Sequence, residues 1–178
     1  MRHFRYVRTS HEGVVAVGHT AAAFWRLVER QVSQARNGGP PYELDLDQFP
    51  WLLLRCVEGS LALAVREDRS RWTVPSAYDL PDTPLKRALL GGDDLDRLVP
   101  SFGGFGGDAT CAMYVAPAGV HAAWLQLSQS DREAVEDRFV GAPPSPAWER
   151  WARGRVREAW AFFQEAARAE EGVLQIVE

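Results

Sequence analysis

Apolar positions recur along this chain at two periods, and the alternation between them sketches a mixed architecture. Phe4 to Thr9 alternates like a short strand, and the apolar run Gly13-Val-Val-Ala-Val-Gly18, bounded by glycines, reads as another. From Thr20 to Arg36, Phe24, Leu27, Val28, Val32 and Ala35 fall three or four residues apart, which places them on one helical face opened by His19 and Thr20. Asn37-Gly-Gly-Pro-Pro41 ends that helix, because glycine supplies φ > 0 and proline cannot extend it. Leu44 to Val57 predicts a largely buried helix with Asp47 as N-cap and Pro50 in its first turn. Leu61 to Val65 fits helix or strand, and Arg71 to Val74 favours a short strand.

Thr83-Pro84 predicts the cap of a brief helix that stops at Gly91-Gly92, and residues 93–108 read as a glycine-rich loop. Ala109 to Val115 is the best strand of the middle region, and Pro117 starts a helix running to about Leu127. Ser130 opens another helix, with Asp131 and Glu133 near its positive end. The final helix, Pro146 to Glu170, is expected to bury Trp148, Trp151, Val156, Ala159, Phe163 and Ala166, and Gly172 to Val177 closes as a strand. The predicted fold class is α/β or α+β: one compact domain over residues 1–178, with a central sheet packed by several helices.

Composition supports a packed core, since 46% apolar and 25% charged residues match an ordinary globular protein. The net charge of −4 gives no general attraction to nucleic acid. No stretch approaches the ~18 apolar residues of a membrane span, and the charged N-terminus does not read as an export signal, so a cytoplasmic protein is expected. Cys56 and Cys111 both sit in apolar surroundings and read as buried free thiols.

Four segments, in order, resemble the YfbM-like bacterial family of unknown function: Leu44-Asp-Leu-Asp-Gln-Phe-Pro-Trp-Leu-Leu-Leu54, Ala88-Leu-Leu-Gly-Gly92, Met113-Tyr-Val-Ala-Pro-Ala-Gly-Val120 and Trp160 to Val177. They are packing signatures. Gln48 and Phe49 stand where the family pattern has lysine and a small residue, Ala118 and Gly119 replace its acidic pair, and residues 1–43 match poorly. The resemblance implies a compact α/β sandwich and transfers no functional residues.

Candidate chemistry is sparse. Gly104-Phe-Gly106 with Ala109 satisfies the G-x-G-x-x-A spacing of a dinucleotide loop, but a predicted strand follows where a helix is needed, so a structural loop is the better reading. If a pocket forms there, Phe102 and Phe105 would line it beside Asp108 and His121, and Asp93, Asp94 and Asp108 could hold a hard cation. The four histidines lack metal-ligand spacing, and neither metal nor cofactor is expected. Asp131, Glu133, Glu136 and Asp137 read as a solvated face. Seven tryptophans are many for this length, and Trp148 and Trp151 fall one helical turn apart. Tryptophan and arginine are enriched at contact hot spots, so these two are the candidate interaction residues. The expected function is a non-catalytic module that binds a protein partner or itself. A small hydrolytic or ligand-processing enzyme, with a pocket near residues 101–108 and His121, is the alternative.

Overall fold

The computed structural model describes residues 4–10, 14, 26, 29–30, 43–47, 50–58, 80–94, 111–140 and 145–177. Their elements run β1 (Phe4–Thr9), β2 (Glu43–Asp47), α1 (Pro50–Val57), α2 (Pro84–Leu90), β3 (Asp93–Asp94), β4 (Cys111–Val115), α3 (Pro117–Ser128), α4 (Arg132–Asp137), α5 (Pro146–Arg168) and β5 (Gly172–Val177). The five strands form one sheet in the order β2-β1-β5-β4-β3, with every neighbouring pair antiparallel. Of the two classes open from the sequence, this pairing is the α+β one.

The register explains why the terminal apolar runs are strands. Tyr6 pairs with Gln175 and Val7 with Leu174, while Met113 and Tyr114 take the same two partners from the other side. Phe4, Tyr6, Val115, Val173 and Val177 join the helices in the main core. Val7, Leu174, Ile176 and Tyr114 alternate with these residues and are also buried, so β1 and β5 are covered on both faces. A strand buried on both faces needs an almost continuous apolar run, and Gly172-Val-Leu-Gln-Ile-Val177 is one.

Its polar exception, Gln175, has a structural partner. The Gln175 side-chain amide donates to the Ala88 carbonyl, and the Tyr6 hydroxyl donates to the Leu89 carbonyl at 2.7 Å. Two cross-strand neighbours thus satisfy carbonyls of the last turn of α2, which a helix end otherwise leaves without partners. Gly92 follows with φ of +154° and backs onto the Tyr114 carbonyl, so both conformation and space favour glycine there. On β1, Arg8 is buried and pairs with Glu171 at 2.7 Å, which fixes the approach to β5.

The predicted strand at residues 4–9 and the helices opened by Pro84, Pro117 and Pro146 form, and the side chains of Thr83 and Ser145 cap the first and last of these helices. Val156, Ala159, Phe163 and Ala166 are buried as expected, whereas Trp148 and Trp151 are half-buried against the core. Three details differ. Val14, expected in a strand, is helical, and its N–H donates to the Ser10 carbonyl at 3.1 Å. Glu43–Asp47, expected to belong to the helix through Val57 with Asp47 as its N-cap, is a strand paired with β1, and α1 begins only at Pro50. The cap of α4 is Asp131, which accepts from the N–H groups of Glu133 and Ala134, because the Ser130 hydroxyl is turned back to the Gln126 carbonyl. Most of the expected helix at 20–36, the segments at 61–65 and 71–74, and the glycine loop lie outside the described residues.

Candidate functional site

Two adjoining features occupy the α4–α5 face. The first is built by the start of α5. Pro146 supplies the preset φ of a first turn, and the Ser145 hydroxyl accepts from the Trp148 N–H at 3.3 Å. Trp148 and Trp151 then share one side of the helix. Phe139, just after α4, lies 6.0 Å from the Trp148 ring, and Trp148 lies 6.1 Å from Trp151, both in tilted geometry. The Arg155 guanidinium sits 5.6 Å from the Trp151 ring centroid, within cation–π range, and also pairs with Glu158. A fully buried Phe139 therefore leads outward through two half-buried indoles to a charged group.

The second feature is an ion-pair network on the other flank of α5. Glu136 on α4 is buried, and one of its oxygens accepts from Arg157 Nε at 2.8 Å and lies 2.6 Å from Nη2. The same carboxylate faces Arg132 at 3.4 Å and Arg153 at 3.9 Å. Arg153 also faces Asp137 at 3.8 Å and Glu149 at 3.7 Å. These residues and Glu133 line a cavity of about 240 Å³, except that Glu149 lies outside it. The Glu136 carboxylate beside Arg157 raises the guanidinium pKa further. Reading Glu136 as part of a solvated face was wrong: its arginine partners on α5 are remote in sequence, and only the packing of α4 on α5 brings them together.

His121 is exposed on α3. Asp93 and Asp94 form β3 through backbone pairing with Tyr114 and Met113, and their side chains, with Phe102, Phe105 and Asp108, lie outside the described residues. Burial pushes the Cys56 thiol up to about 12, which makes it a packing group and a poor nucleophile near neutral pH. The side chain of Cys111 lies outside the described residues. Glu58, at the end of α1, accepts from the Thr83 hydroxyl at 3.3 Å, and burial holds its carboxyl above the usual range.

The class so defined is an α+β protein whose described residues form a five-stranded antiparallel sheet and an aromatic, ion-paired helical face. No family model and no curated protein matches the chain. Among solved structures it is similar to the Escherichia coli protein of unknown function YfbM, with 14% identity, 99% of each chain covered and a TM-score of 0.48. That structure's function is unknown, and no residue role comes from it. No helix among the described residues is long and apolar enough to cross a membrane.

Proposed function

We propose that this chain is a non-catalytic, cytoplasmic bacterial interaction module that binds a protein partner or a second copy of itself through the start of α5. The observation that supports this reading is the Trp148–Trp151–Arg155 cluster. Its indoles are half-buried and rigidly backed by Phe139, and a guanidinium lies beside them. Rigid aromatics contribute large contact area at small entropic cost, and tryptophan and arginine dominate contact hot spots. The buried free thiol of Cys56 suits a reducing compartment.

The test is affinity capture of the tagged protein, followed by reconstitution with the purified partner and sedimentation of the protein alone. Trp151→Ala and Arg155→Ala are expected to weaken the reconstituted complex or the self-association by about tenfold or more, as for hot-spot residues. Circular dichroism checks that each variant is folded. A monomer without a partner, or a complex indifferent to both substitutions, would favour the ligand-processing alternative around residues 101–108 and His121.

A further inference from the structure

We draw no further inference here: the strongest candidate, the outward face of α5 around Ala147, Gly154 and Ala161, is a stripe of small residues whose flanking Arg157 and Glu158 are already paired within the chain with Glu136 and Arg155, and nothing in the structure shows what covers it.

Discussion

A methyl group at position 172 would occupy space already filled by the phenol of Tyr114, which crosses from β4 to lie over the first residue of β5. Gly172→Ala is expected to cost about 1–3 kcal/mol, the usual price of overpacking. Replacing Tyr114 by leucine in the same chain should recover part of the loss, and urea denaturation of the two single variants and the double variant would measure that coupling. A neutral Gly172→Ala would mean that the ring moves aside freely. The same phenol carries a pH signature. Burial pushes Tyr114 up to about 12 and Tyr6 well above its ordinary value. A phenol is neutral when protonated, so the folded chain holds these protons more tightly than the unfolded one. Their contribution is complete below the unfolded phenol value of about 10 and is lost as pH rises toward the folded values. Comparing urea midpoints at pH 9 and pH 11, Tyr114→Phe should lose less stability than the parent chain. Identical losses would place the alkaline sensitivity elsewhere. At this scale the sequence was partly legible: the free, buried state of Cys56 followed from its apolar neighbours, whereas the need for glycine at 172 depends on a residue from another strand.

Elements were most legible where one helix carries its own signals. In α5 the serine cap, the first-turn proline and the recurring apolar stripe all lie within one continuous stretch, so local sequence suffices. The strand at Glu43–Asp47 was missed: its leucines alternate with acids, but the apolar run that follows drew Leu44 to Val57 into one expected helix with Asp47 as its cap. The face of α4 was not legible. Arg132 to Asp137 offers mostly polar residues, and Glu136 becomes a buried hub only through Arg157, 21 residues further on. Glu136→Ala is accordingly expected to destabilise the protein by about 1–3 kcal/mol through lost charge-assisted hydrogen bonds, whereas Glu133→Ala on the exposed side should be nearly neutral. Thermal unfolding of the pair tests the assignment, and equal effects would refute it. Asp131→Ala removes the cap of the same helix and should cost about 1 kcal/mol.

Across the molecule, the helices meet the sheet through a core that includes Phe162, Phe163 and Trp160 from α5 and Leu53 and Leu54 from α1. Phe163→Ala is expected to cost about 3–5 kcal/mol, the transfer and cavity cost of a buried ring, and chemical denaturation would report it as a shifted midpoint with an unchanged slope. Such a loss approaches the whole stability of an ordinary domain. The sheet order has a temporal consequence as well. Among the described strands, β1 with β2 and β4 with β3 are two separate pairs, and β5 alone joins them, with Val177 opposite Phe4. During translation both pairs leave the ribosome before the strand that unites them exists. A nascent chain halted at Glu171 thus holds two unpaired strand edges, attractive to chaperones and to other nascent copies, until six further residues convert them into an interior.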